Sequence, residues 1–193
     1  MIVSSYNEAQ LWDNFRAGEE KALDTIYNMY AETLFSYGIH IYNNLQLVED
    51  CVHDLFIKIY QKKENLGPTT SIKFYLMRCM RTQIFDALAK SKKLSVDDIT
   101  ENRKYDFLFE AKEEVRMVSI QNNDLLTSTM LTEINNLPKK QREIIYLIFY
   151  KDMTYEEVSQ MLSLTIRTVY NQVYNAIQRL KKANKIFEKF LAA

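Results

Sequence analysis

A chain of 193 residues with only 3 Gly and 2 Pro is too poor in turn-forming residues for an all-β fold, and its balanced composition excludes collagen-like and low-complexity chains. Its two cysteines are too few for a disulfide framework and no apolar run nears the roughly 20 residues of a membrane span, which points to a helical protein of a reducing, cytoplasmic setting. The 25 acidic and 25 basic side chains cancel overall, but net charge is −5 over residues 1–70, +5 over 71–93, −4 over 94–126 and +4 over 127–193, and local fields guide association more than the total does.

Leu11, Trp12 and Phe15 predict a first helix over about 7–16. Leu23, Ile26, Tyr30, Leu34, Tyr37 and Ile41 step by three or four, one face of a second helix over about 19–42. Val48, Val52, Leu55, Phe56 and Ile59 predict a third over about 45–63. Residues 65–71, with Gly67 and Pro68 at their centre, break the pattern, and a fourth helix follows to about residue 90 through Phe74, Met77, Met80, Ile84 and Leu88. Residues 91–121 are charged and weakly periodic. They read as a linker between domains 1–90 and 122–193, in which Phe107-Leu108-Phe109 is a local apolar anchor. In the second domain one helix runs through Leu126, Met130 and Ile134 and stops at Pro138, and another spans 139–150. Thr154 and Glu157 have capping-box spacing at the start of a short helix ending near Leu162. Thr165 caps a last helix from Ile166 into a basic tail. The expected fold is all-α: two small helical domains, an N-terminal bundle and a C-terminal helix-turn-helix, joined by a charged linker.

The pair 155–162 and 166–180, separated by about three residues, has helix-turn-helix spacing. At about 100° per residue, Val169, Val173, Ala176, Ile177 and Leu180 share one side of the second helix. Arg167, Asn171, Tyr174, Asn175, Gln178 and Lys182 lie opposite, with Thr168 at the edge. Amide and basic groups of this kind hydrogen-bond base edges and phosphates, and the helix N-terminus is the part that reaches bases. Thr165, Arg167, Thr168, Asn171, Tyr174, Asn175, Gln178 and Lys182 are therefore the candidate duplex-binding set.

Residues 137–145 (LPKKQREII), 153–169 (MTYEEVSQMLSLTIRTV) and 176–180 (AIQRL) resemble the C-terminal DNA-binding domain of bacterial RNA polymerase sigma factors of the extracytoplasmic-function (ECF) group. Residues 48–56 (VEDCVHDLF) are similar to that group's polymerase-binding helix, and 74–78 (FYLMR) with Arg81 and Asp86 to its promoter-melting helix. The resemblance covers about 8–90 and 122–183. It implies a sigma factor that binds core RNA polymerase and directs promoter-specific initiation, with promoter DNA and an anti-sigma factor, often membrane-bound, as partners. It places polymerase binding on Glu49, Asp50, His53, Asp54, Leu55 and Phe56, with the carboxylates orienting and an exposed aromatic anchoring. It places capture of the opened minus-ten strand on Asn65, Thr69, Thr70, Ser71, Lys73, Tyr75, Arg78, Arg81 and Thr82. Capture requires a pocket for an unstacked base, aromatic surface and cations. Phe74 is expected in the core, which leaves Tyr75 as the stacking candidate. The minus-thirty-five duplex falls to the helix-turn-helix.

Thr82 stands where the family commonly has Asn, His53 where it has Gln, and Tyr170 and Tyr174 make the recognition helix less basic, so the promoter sequence does not carry over. Enzyme signatures are missing: no Gly-rich phosphate loop, no His-Glu-x-x-His and no Cys-x-x-Cys. No catalytic residue, metal site, cofactor or small-molecule substrate is expected. Cys51 and Cys79 read as small core residues. The competing reading is a stand-alone helix-turn-helix regulator that does not bind polymerase. Its usual partner, a βα receiver with an acidic pocket, has no counterpart in 1–90.

Overall fold

The computed structural model describes residues 7–92, 107–109 and 124–191, with side chains described for 7–90, 107–109 and 130–183. Most of the linker expected over 91–121 lies outside the described residues. The chain divides into two units at Tyr105/Asp106. The described residues are almost wholly helical and contain no strand.

In the first unit, α1 (Glu8–Arg16), α2 (Glu20–Ile41), α3 (Leu45–Gln61) and α4 (Ile72–Lys92) are followed in chain order with one 3₁₀ turn, Lys63–Asn65, between α3 and α4. Asn7 caps α1 and Asn44 caps α3, each side-chain oxygen accepting from backbone N–H groups of the first turn. Helices α2, α3 and α4 pack on one another, and α1 lies against α2 and α4. Ile26, Leu34, Tyr37, Ile41, Val48, Leu55, Leu76, Met80 and Ile84 form the dry centre. A Cβ on Gly38 of α2 would stand 2.6 Å from Val48 Cγ1 and 2.9 Å from Met80 Cε, so the three helices cross closely there because this residue has no side chain. Phe74, expected in the core, is half-buried.

The second unit contains α5 (Asp124–Asn135), α6 (Lys139–Phe149), α7 (Tyr155–Met161) and α8 (Ile166–Leu191). Helix α8 packs on α5, α6 and α7. Residues 107–109 also belong to this unit, earlier than the boundary expected at 122. Phe107 and Phe109 are buried beside Tyr146, with ring centroids 5.1 and 5.7 Å away. The Asn135 side chain clamps the backbone there, accepting from Phe109 N–H at 2.9 Å and donating to its carbonyl at 3.0 Å. Arg142 Nη1 donates to the Asn135 carbonyl and so satisfies an open acceptor at the C-terminus of α5.

Candidate functional site

Helix α3 buries Val48, Cys51, Val52, Leu55, Phe56 and Ile59, and its remaining circumference is open. Glu49, Asp50, His53 and Asp54 are on the open arc. Leu55 and Phe56 are not. They are 1% and 6% exposed, and Phe56 meets the Tyr27 ring edge-on at 4.8 Å. The expected exposed aromatic anchor is therefore a core residue, because Phe56 falls on the same helical face as Val52 and Ile59. Among the apolar groups presented on this arc is Ile57, 41% exposed, one turn on from His53 and beside Asp50 and Asp54. Its signal in the sequence is an apolar residue out of register with the buried face.

The minus-ten candidates separate into four sets. Thr69 and Ser71 hold the loop itself: Thr69 Oγ1 donates to the Ser71 carbonyl at 3.1 Å and accepts from its N–H, and Ser71 Oγ accepts from Phe74 N–H at 3.2 Å, capping α4. Asn65 and Thr70 are exposed on the loop, whereas Lys73 and Arg81 are half-buried on α4, with the Arg81 guanidinium 4.5 Å above the Phe85 ring. Tyr75, Arg78 and Thr82 come together. They line a cleft of about 450 Å³ between α3 and α4 with Leu66, Lys58 and Lys62. The two lysines, Lys58 in the last turn of α3 and Lys62 just past its end, were not among the expected DNA-binding residues. Burial, with the Cys79 thiol alongside, pushes the Tyr75 phenol up to about 12, so the ring is neutral at pH 7.

In the second unit the capping box is complete: Glu157 N–H donates to Thr154 Oγ1 at 3.1 Å and Thr154 N–H to Glu157 Oε2 at 2.8 Å. Helix α7 then ends with Ser163 at φ +53° and Leu164 N–H bonded to the Ser159 carbonyl at 2.9 Å, the outer bond of a Schellman motif. This turn delivers α8. Val169, Val173 and Ala176 are buried, and Arg167, Asn171, Tyr174, Asn175, Gln178 and Lys182 are exposed. Thr165 caps α8, its hydroxyl accepting from Thr168 N–H at 3.1 Å and sharing a 2.7 Å bond with Thr168 Oγ1. Both hydroxyls therefore serve the helix start. Tyr170, not among the expected contacts, is 53% exposed and stacks on Tyr155 at 4.1 Å. With Tyr174, 64% exposed, it gives the open face an aromatic stripe.

Residues 26–94 match Sigma-70 region 2, and residues 129–180 match Sigma-70 region 4, in that order and together over more than half of the chain. The chain belongs to the sigma-70 family. Its relatives place this sigma factor in the ECF group. It is 24% identical over 161 residues to the ECF RNA polymerase sigma factor SigM of Bacillus subtilis, covering 82% of this chain and 93% of that one. It is 19% identical over 188 residues to the RNA polymerase sigma-H factor of Pseudomonas aeruginosa, covering 94% and 96%. Among solved structures, the sigma factor RpoE of Bartonella quintana, in complex with the anti-sigma factor NepR, shares the fold at TM-score 0.59 and 20% identity, over 86% of this chain and 98% of that one. CnrH, in complex with the cytosolic domain of CnrY, does so at TM-score 0.58 and 15% identity, over 94% and 99%. This sigma factor directs promoter-specific transcription initiation. Among the described residues no helix is long and apolar enough to cross a membrane.

Proposed function

We propose that this sigma factor docks on core RNA polymerase through the open arc of α3, captures the opened minus-ten strand with the 65–71 loop and α4, and reads the minus-thirty-five duplex with α7 and α8. Residues 1–90 then carry docking and melting, residues 122–193 carry duplex recognition, and 91–121 link them. The observation that carries the reading is the cleft where Tyr75, Arg78 and Thr82 meet Lys58 and Lys62. A neutral aromatic wall stacks an unstacked base, a hydroxyl addresses its edge, and three cations hold the strand. At the docking arc, Ile57 supplies apolar contact while Asp50 and Asp54 orient a basic partner surface. On α8, Arg167 and Asn171 suit guanine and adenine edges, Tyr170 and Tyr174 suit thymine methyl groups, and Lys182 suits a phosphate.

The protein contributes binding and strand separation, and the chemistry of synthesis belongs to the polymerase. An anti-sigma partner accords with the pairing of RpoE with NepR. The deciding experiment is transcription by core polymerase on fragmented genomic DNA with and without the protein, with start sites mapped. New starts sharing two spaced upstream elements are expected. Duplex binding without any new start would favour the stand-alone regulator.

A further inference from the structure

Glu8, Trp12 and Arg16 recur every four residues and so form one stripe along α1. Arg16 and Trp12 end on the segment that connects the 3₁₀ turn to α4, and Glu8 on the first residue of α4. Arg16 Nε donates to the Leu66 carbonyl at 2.6 Å, Trp12 Nε1 donates to the Gly67 carbonyl at 2.9 Å, and Ile72 N–H donates to Glu8 Oε2 at 2.8 Å. The loop therefore runs antiparallel to the helix, fastened at both ends and once between. Each fastening group is itself held. Tyr30 donates to the other Glu8 oxygen at 2.8 Å, Asp13 pairs with Arg16 Nη1 at 2.9 Å, and the fully buried Trp12 ring lies 5.1 Å from Tyr75.

Turn chemistry holds only the later part of the loop, through Thr69 and Ser71, and does not account for the approach of Leu66 and Gly67 to α1. Gly67 has a backbone that other residues adopt, and a Cβ there would meet nothing within 4 Å. Helix α1 also reaches the cleft twice: Arg16 holds the carbonyl of Leu66, and Trp12 packs on Tyr75, both of which line it. Yet α1 lies wholly before residue 26, where the match to region 2 begins.

We infer that α1 is a brace that sets the 66–72 loop and the aromatic wall of the strand-capture cleft, with Glu8, Trp12 and Arg16 as positioning residues for promoter opening. This rests on the reading of the cleft given above.

Two measurements on the full-length protein separate the brace from that reading. Trp12→Phe keeps an aromatic ring but removes the indole donor and some buried volume, and Glu8→Ala removes the acceptor, whereas Glu8→Gln retains an oxygen for Ile72 and Gly67→Ala changes only the loop side chain. By hydrogen exchange, Trp12→Phe and Glu8→Ala should speed exchange of the 66–72 amides by about tenfold while α2 and α3 stay protected, with Glu8→Gln and Gly67→Ala near wild type. In holoenzyme, the first two should slow opening of a duplex promoter, followed by permanganate reactivity of unpaired thymines, by about tenfold with polymerase affinity unchanged. Unchanged loop exchange, loss of protection throughout the unit, or faster exchange without slower opening would each overturn the brace. Wild-type holoenzyme that opens no promoter would instead overturn the function proposed for the cleft, and the exchange result would still decide whether α1 holds the loop.

Discussion

Gly38 and Cys51 show how single residues are read by their neighbours. Replacing a mid-helix glycine with alanine ordinarily gains up to about 1 kcal/mol. At Gly38 the new methyl would meet the stiff Val48 side chain at 2.6 Å, and overpacking of that kind costs about 1–3 kcal/mol. Gly38→Ala is therefore expected to lower the urea midpoint, by about 1 kcal/mol net in stability. Burial pushes the Cys51 thiol up to about 11, with Asp54 adding to it and Lys58 opposing. Below an ordinary thiol value of 9 both the folded and unfolded states hold the proton, so this group adds no pH dependence. Between about 9 and 11 the unfolded chain ionises first, and stability falls as pH rises. Cys51→Ala should flatten that part of an alkaline denaturation curve, and iodoacetamide should label Cys51 slowly at pH 7.5 in the folded protein relative to urea-unfolded chain. The burial of Cys51 was legible from residue type, because a free cysteine is commonly a small core residue. Residue type did not disclose the crossing at Gly38, which depends on three helices at once, nor the exchange of roles between Phe56 and Ile57, which adjacent positions on one helix edge leave open.

Among the elements, α7 was the most legible because its start signal is local: Thr154 and Glu157 lie three residues apart and complete each other's hydrogen bonds. Thr154→Ala should cost about 1 kcal/mol of stability, measured by chemical denaturation. The end of α7 carries the opposite lever. Ser163 sits at φ +53° at the position where helices favour glycine, so Ser163→Gly should stabilise the second unit by about 1 kcal/mol, read as a higher melting temperature. Unchanged stability in either variant would mean that tertiary contacts, not the caps, fix α7. The place of Phe107–Phe109 was only half legible. Its apolar character stands out in a charged stretch, but its partners, Asn135 and Tyr146, are 26 and more residues away, and nothing local specifies such a pairing.

Taken whole, the proposed function puts the chain's tasks on separate surfaces, and that separation is testable. Asp50→Asn with Asp54→Asn should weaken polymerase binding, with the loss largest at low salt, while leaving promoter preference intact. Arg167→Ala should leave polymerase affinity unchanged and relax preference at one minus-thirty-five base pair, at about 1–3 kcal/mol of discrimination. If both variants failed in both assays, the surfaces would not be separate. The helical class and the helix-turn-helix were readable because amphipathic period and capping are local. The cleft was readable only on its α4 side, because Lys58 and Lys62 join it across helices. The contact between Trp12 and Gly67 spans 55 residues and had no local signal. It has an optical consequence. Trp12 is the sole tryptophan of the chain, and its indole donor is tied to the loop at the edge of the cleft. The protein thus carries its own fluorophore at the point where strand capture would disturb it: emission should shift to the red if the loop lifts and admits water, and stay blue if it holds, so promoter opening can be followed in an unlabelled molecule wherever the polymerase background is subtracted.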